Sequence, residues 1–159
     1  MKAKTKYLAR AACIAALYAL LTVCLTPISF GLIQCRVSEA LCVLPYFSGA
    51  AIPGLFVGCL LANLLAGAPP YDVAFGSLAT LLAALCTHWL RKRGSKYLAP
   101  LPPVVINALV VGTLLVRVYG LDVPFWPAAA YVGIGQALAC YALGVPLLLA
   151  LERFPKLWG

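Results

Sequence analysis

The chain consists almost entirely of long apolar runs, and no other feature constrains its fold as strongly. Of its 159 residues, 64% are hydrophobic and 10% are charged, whereas soluble domains have about 45–50% apolar and about 25% charged residues. A transmembrane helix needs about 20 mainly apolar residues. The composition therefore predicts an all-α integral membrane protein.

Breaks in hydropathy divide the chain into six candidate transmembrane helices. Taken between Pro, Gly and polar boundaries, they cover residues 7–26, 37–49, 52–66, 73–90, 104–121 and 127–151. The second and third are short and flank the stretch FSGAAIPG; such interruptions at membrane depth are tolerated beside a cavity. Because no linker or internal repeat divides the chain, we expect residues 1–159 to form one six-helix domain.

The basic residues indicate how this bundle is oriented. Six spans put both termini on one side, and the basic residues near the two termini and in RKRGSK all fall on that side. The positive-inside rule makes this side cytoplasmic, and only Arg36 and Arg117 depart from the pattern. The net charge of +8 thus reflects topology. Nucleic-acid binding is not expected, because no basic stripe interleaved with aromatic residues is present.

The sequence has no motif for catalysis, metal binding or nucleotide binding. Its seven cysteines are scattered without a C-x-x-C pair, and thiols in apolar runs behave as small hydrophobic side chains. A Walker loop, H-E-x-x-H and G-x-S-x-G are all missing. We therefore expect no catalytic residue, metal or cofactor, and transport through this chain would draw its energy from another protein.

Polar side chains are scarce in this chain, so those that lie between apolar runs are expected to have a structural or binding role. The stretch FGLIQCRVSEALCVLP carries Gln34, Arg36 and Glu39, although the chain has only four acidic residues. A charge costs about 2.5–3.5 kcal/mol at mid-bilayer on insertion scales, so it usually faces a partner or a cavity. The three-residue spacing of Arg36 and Glu39 fits both mutual pairing in the headgroup zone and ligand binding.

Further polar and aromatic residues converge on the predicted outer end of the bundle, and this favours ligand binding. The topology places Asn63, Asp72, Trp126 and Tyr131 near that end, with Gln136 deeper in the sixth helix. Such a set suits a planar, polar solute with at most one charge. An ion channel is not indicated, because no acidic ring or glycine-rich filter appears.

The first predicted helix carries small residues at a helical repeat. Ala11, Ala15 and Ala19 recur every four residues, with Ala12 and Ala16 beside them. Small residues at this spacing let a second helix approach closely. The residues alone do not separate packing inside the bundle from docking of a partner.

Five stretches in order along the chain resemble a known family. They are PISFGLIQCRVSEAL, AIPGLFVGCLLANLLAG, DVAFGSLATLLAAL, LAPLPPVVINALVVG and YVGIGQALACYALGVPLLL. The family they resemble is QueT, the queuosine-precursor transporters, whose members are S components of energy-coupling-factor (ECF) transporters. The resemblance implies a six-helix bundle of the S-component type with both termini cytoplasmic, and a transporter subunit without enzymatic activity.

The same resemblance implies partners for the chain. S components dock in the membrane on a transmembrane coupling protein that carries two ATPase subunits, and these supply the energy. In many such subunits an A-x-x-x-A pattern on the first helix is the docking surface. The resemblance assigns this role to Ala11, Ala15 and Ala19, with Ala12 and Ala16 as the alternative register.

The implied solute is a 7-deazaguanine: the aminomethyl precursor, queuine or a related salvage product. Its guanine-like edge offers two adjacent donors that one carboxylate can accept together. The resemblance gives this role to Glu39, oriented by Arg36; Asn63 and Gln136 are amide partners, and an aromatic side chain would stack on the ring. The expected substrate-binding residues are Gln34, Arg36, Glu39, Asn63, Asp72, Trp126, Tyr131 and Gln136.

One departure from the family pattern bears on the solute. Gln136, in GIGQAL, stands where members of the family often have a glutamate; if that acid pairs with an aminomethyl cation, Gln136 weakens this hold and shifts preference toward another precursor.

Two other classes of function fit the residues less well. A membrane enzyme using Glu39 or Asp72 lacks a nucleophile or metal set, and a scaffold using only the alanine face would not need the polar cluster.

Overall fold

The structure is a computed structural model, and it describes residues 2–25, 36–92 and 95–154. Within these ranges every regular element is helical, and six helices follow one another along the chain. They are α1 (Lys2–Cys24), α2 (Val37–Tyr46), α3 (Ala51–Leu65), α4 (Asp72–Leu90), α5 (Leu101–Arg117) and α6 (Phe125–Glu152). The predicted all-helical class is confirmed. α1, α4, α5 and α6 are each long and apolar enough to cross a membrane, and α2 and α3 are shorter apolar helices.

The α2 helix has a geometry that hydropathy did not reveal. Its ten residues form a 3₁₀ helix with Pro45 inside, although 3₁₀ runs longer than three or four residues are uncommon. Every residue from Ser38 to Pro45 is buried. The surrounding helices α1, α3, α4 and α6 all pack against it. This short helix therefore lies inside the bundle, and its side chains face protein.

The α1 and α3 helices touch at the level of their backbones. A Cβ atom added to Gly58 would lie 2.8 Å from the Tyr18 Cβ and 3.0 Å from the Ala15 Cα, and one added to Gly54 would lie 2.8 Å from the Ala11 carbonyl oxygen. Contacts this short do not occur between real atoms, so this face of α3 requires glycine. The small residues of α1 therefore serve packing within the bundle.

The two registers of alanine on α1 differ in exposure. Ala11, Ala15 and Ala19 keep only 6–9% of their surface, because they lie on the side of α1 that packs inside the bundle. Ala12 and Ala16 are exposed. The second register is therefore the more exposed of the two.

The end of the bundle where α1 begins is tied together by hydrogen bonds between helices. His88 Nδ1 donates to the Pro45 carbonyl at 2.7 Å, and Lys96 Nζ pairs with Glu152 Oε2 at 2.7 Å. We call this the basic end because it carries Lys4, Lys6, Arg10, Arg91, Lys92 and Arg153. α1, α3 and α5 run away from the basic end, and α2, α4 and α6 run toward it.

Two helices contain a π turn where they meet the interior. The first residues of α4, Asp72–Gly76, and the middle of α6, Leu138–Leu143, have π hydrogen bonding, which occurs frequently at functional sites. The turn in α6 lies against α2. Directly after it, a Cβ at Gly144 would lie 3.3 Å from the Ala40 carbonyl oxygen. α6 therefore approaches α2 closely.

Replacing Gly58 with alanine tests the contact between α1 and α3. Gly58→Ala is expected to lower the thermal unfolding temperature of the detergent-solubilised protein, because overpacking costs about 1–3 kcal/mol. The matched control is Gly133→Ala in α6, where the added Cβ would lie at an ordinary 3.5 Å from the Ala108 Cβ. Alanine favours a helix by about 1 kcal/mol over glycine, so the control should not be destabilised. Equal unfolding temperatures for the two variants would contradict the packing described here.

Candidate functional site

A buried carboxylate, that of Glu39, lies at the centre of the polar interior. Its side chain is 1% exposed. Oε1 accepts a hydrogen bond from the Tyr18 hydroxyl at 2.5 Å, and Oε2 accepts one from the Cys42 thiol at 2.9 Å. Glu39 and Cys42 are one 3₁₀ turn apart, which places both side chains on one line along α2.

The cation that balances this charge is Arg36, at the start of α2. Arg36 is 7% exposed, and its guanidinium interacts electrostatically with Tyr18, Glu39 and Asp72. A lone charge in an apolar interior is very costly, whereas a paired one is tolerated. The structure therefore brings together three of the residues predicted from the sequence: Arg36, Glu39 and Asp72.

Asn63, on the last turns of α3, carries an unused acceptor. Its side chain is fully buried, and Nδ2 donates to the Asp72 carbonyl oxygen at 3.2 Å. Oδ1 has no hydrogen-bond partner among the described residues. Buried polar atoms are paired in the large majority of cases, so an exception indicates a group that a ligand or water can satisfy.

Gln136 is linked to Glu39 through one thiol. The Gln136 side chain is 2% exposed, and the Cys140 thiol lies 3.8 Å from Gln136 Oε1 and 3.6 Å from the Glu39 carbonyl oxygen. The interior residues Tyr18, Arg36, Glu39, Cys42, Gln136 and Cys140 are named here the Glu39 cluster. It joins α1, α2 and α6.

Asn107 is a further buried amide, at the level of Gln136. Gly112 faces Ala129 and Ala108 faces Gly133, so the antiparallel register of α5 and α6 places Asn107 within one helical turn of Gln136. Its side chain is 3% exposed, and Nδ2 has no hydrogen-bond partner among the described residues. From the sequence alone, a packing role of Asn107 cannot be separated from a binding role.

Asp72 connects the cluster to the end of the bundle opposite the basic end. Its carboxylate interacts electrostatically with Tyr119, in the loop after α5. Burial raises the pKa of Tyr119, and the Asp72 carboxylate raises this pKa further. Since the Asp72 backbone carbonyl accepts the bond from Asn63, the start of α4 is in contact with both α3 and the loop after α5.

Two of the predicted aromatic residues lie away from the Glu39 cluster. Trp126 is 73% exposed and Tyr131 is 45% exposed, and the Trp126 ring packs edge-on against Phe125 with centroids 5.0 Å apart. The structure does not bring either ring to Glu39. Gln34 lies outside the described residues. The predicted binding roles of all three residues stay predictions.

The residues that sequence reasoning missed are the internal partners of Glu39. Tyr18 donates to Glu39, and one turn along α1 the Thr22 hydroxyl lies 2.6 Å from the Ser38 hydroxyl. A signal was present, because Ala11, Ala15, Tyr18 and Thr22 follow one another at spacings of four, three and four residues. That spacing marks a single helix face, and two polar side chains at its end indicate polar partners opposite.

The chemistry available to this interior is hydrogen bonding. A carboxylate offers about four lone-pair sites, and the hydrogen bonds from Tyr18 and Cys42 use one on each oxygen of Glu39. Among the described residues, no group of three or more His, Cys, Asp or Glu side chains is placed to hold a metal ion. The polar interior is thus suited to a ligand with several N–H donors.

A groove on the surface of the bundle is apolar, in contrast to the polar interior. It has a volume of about 550 Å³, runs between the start of α4 and the second half of α5, and is lined by Phe75, Leu109 and Leu114 among other residues, none of them charged. Phe75 and Leu109 are about half exposed. Such a groove suits lipid chains and not a polar solute.

Comparison with known proteins gives the family. The family described as "QueT transporter" matches residues 8–153. The chain is also 40% identical over 83 residues to a protein of Lactococcus lactis subsp. cremoris (strain MG1363) named "Queuosine precursor transporter QueT". This alignment covers 51% of the chain and 48% of the relative, so the chain spans about half the length of the curated relative that it matches. A search of solved structures found no match.

These matches confirm the resemblance seen in the five sequence stretches, and the family consists of transporters, not enzymes. The family match covers nearly the whole chain, and the structure supplies four apolar helices of membrane-spanning length. The protein is therefore a multi-pass membrane protein that belongs to the QueT transporter family.

Proposed function

We propose that this protein is the solute-binding S component of an ECF transporter and that it captures a queuosine precursor, a 7-deazaguanine, for ATP-driven uptake. The observation that carries the proposal is the buried Glu39 carboxylate, which interacts electrostatically with the buried Arg36 guanidinium inside a largely apolar bundle. Family membership and the name of the Lactococcus lactis relative support this class of solute.

The polar interior matches the hydrogen-bonding groups of such a base. The N1–H and exocyclic amine of a guanine-like ring are parallel donors, and the free lone pairs of Glu39 can accept both. The unused Asn63 Oδ1 can accept another N–H. The amides of Gln136 and Asn107 can donate to the ring oxygen.

The basic end faces the cytoplasm in this proposal. The basic side chains gather there, and the positive-inside rule places them on the cytoplasmic side. Both termini are then cytoplasmic, and Asn63, Asp72 and Tyr119 lie toward the outside. A solute arriving from outside would meet these residues before it reaches Glu39.

Docking on a coupling protein with two ATPase subunits would use α1. In the proposed complex the exposed residues Ala12 and Ala16 form the contact, because small side chains permit a close helix approach. The register Ala11, Ala15 and Ala19 is already covered inside the bundle. The docking surface is thus assigned to the alternative register.

The role of Glu39 is tested by titrating the purified protein with queuine, the aminomethyl precursor and guanine. Submicromolar binding without turnover is expected for at least one of them. Glu39→Gln should weaken it at least ~10-fold, because a hydrogen bond to a charged group contributes about 1.5–3 kcal/mol. The matched control is Glu152→Gln at the basic end, a change that should leave affinity unchanged. Product formation, or no response to any of the ligands, would overturn the proposed function.

A second titration tests the consequence of Gln136. Gln136→Glu is expected to strengthen binding of the aminomethyl precursor, because the new carboxylate can pair with its ammonium group. Binding of 7-deazaguanine without the aminomethyl group should not improve, and this ligand is the control. If both affinities change by the same factor, Gln136 does not lie beside the aminomethyl group.

Replacing a small residue on the exposed face of α1 with a large one tests the proposed docking surface. Ala16→Trp should leave solute binding intact but abolish co-purification with the coupling protein and ATPases, and with it uptake. The control is Leu82→Trp on α4, which is also exposed and should assemble normally. Normal assembly and uptake with Ala16→Trp would exclude this face of α1.

A further inference from the structure

The Glu39 carboxylate is held at two points by donors from different helices. Tyr18 on α1 binds Oε1 at 2.5 Å, and Cys42 on α2 binds Oε2 at 2.9 Å. One donor alone would allow the carboxylate to rotate about that contact. Two donors on two oxygens fix its plane and the direction of the remaining lone pairs.

The Tyr18 side chain has little freedom to follow a moving carboxylate. It is 0% exposed and packs in a cluster with Leu55 and Cys59. Its Cβ lies against Gly58, at a distance that leaves no room for a side chain there. The Tyr18 carbonyl oxygen also accepts a hydrogen bond from the Thr22 hydroxyl at 2.9 Å. The tyrosine hydroxyl is therefore a fixed point to which Glu39 adjusts.

From this geometry we propose that Tyr18 is a positioning residue: it aims the Glu39 carboxylate so that the site selects ring solutes with an amino group beside N1–H. The inference rests on the proposed function and adds the origin of its selectivity. A carboxylate accepts two parallel donors only when both of its free lone pairs lie in the plane of the ligand. A rotated carboxylate accepts one donor, and the amino group then contributes little to binding.

Selectivity is the quantity that such positioning controls. A site built to hydrogen-bond a polar group rejects an analogue that lacks this group, because the site's own buried atoms are left unpaired. With Tyr18 in place, 7-deazaguanine is preferred over 7-deazahypoxanthine, which lacks the amino group. Without the Tyr18 hydroxyl, the two ligands bind with similar affinity.

A purely structural role for Tyr18 makes a different prediction. In that case its hydroxyl only holds α1 to α2, and its loss lowers stability and both affinities together. The chain contains a matched contact of this kind: Thr22 meets Ser38 across the same pair of helices at 2.6 Å, one turn from Tyr18, without touching the Glu39 carboxylate. Ser38→Ala therefore removes this tether but keeps the Thr22 bond to the Tyr18 carbonyl oxygen, so that Tyr18 and the carboxylate stay held.

The test compares the dissociation constants of the two ligands for the wild-type protein, Tyr18→Phe and Ser38→Ala, with thermal stability measured in parallel. The wild-type protein should prefer 7-deazaguanine at least ~10-fold. Tyr18→Phe should reduce this ratio to about threefold or less, whereas Ser38→Ala should keep the wild-type ratio even if it unfolds at a lower temperature. An unchanged ratio in Tyr18→Phe, or an equal loss in Ser38→Ala, would overturn the proposal.

Substitutions at Cys42 test the hold on the other carboxylate oxygen, Oε2, through the same selectivity ratio. This test remains available if Tyr18→Phe does not fold. Cys42→Ala removes the second donor and should lower the selectivity ratio, and Cys42→Ser, which supplies a hydroxyl donor, should restore it. A ratio that stays at the wild-type value in Cys42→Ala contradicts the two-point hold. Failure of the wild-type protein to bind either ligand would instead refute the proposed function, and the positioning role with it.

Discussion

The burial of one carboxylate inside a largely apolar bundle determines the arrangement around Glu39. A buried ion is tolerated only with a counter-ion and hydrogen-bond donors. Arg36 supplies the opposite charge, and Tyr18 and Cys42 supply the donors. These groups come from two helices, so α1 and α2 have to meet at Glu39. A single substitution at this point changes both the charge balance and the contact between the helices.

The close contact of α1 with α3 is what brings Tyr18 to its position. Gly58 allows the Tyr18 Cβ and the Ala15 backbone to approach α3 directly, and the tyrosine ring then lies between α3 and α2. The same contact buries one register of alanine on α1 and leaves the other exposed. α1 thus holds the polar interior with one face while its opposite face stays free for the membrane or a partner.

Hydropathy predicts the six helices and the interior position of the scarce polar residues. Glu39, Asn63 and Gln136 stand out in apolar runs because each is expensive to bury, and all three are buried. Hydropathy does not predict the exposure of Trp126 or the contact between Tyr18 and Glu39. Both depend on how helices far apart in sequence rotate against each other. The 3₁₀ geometry of α2 was also not predicted, because the composition of this segment fits an α-helix equally well.

The 3₁₀ winding of α2 changes how far a short segment reaches. At a rise of about 2.0 Å per residue, its ten residues extend roughly 20 Å. The same residues in an α-helix, with about 1.5 Å per residue, would extend roughly 15 Å. Against a hydrocarbon core about 30 Å thick, the stretched winding lets these ten residues cover roughly two thirds of that thickness, whereas an α-helix of the same length would cover roughly half.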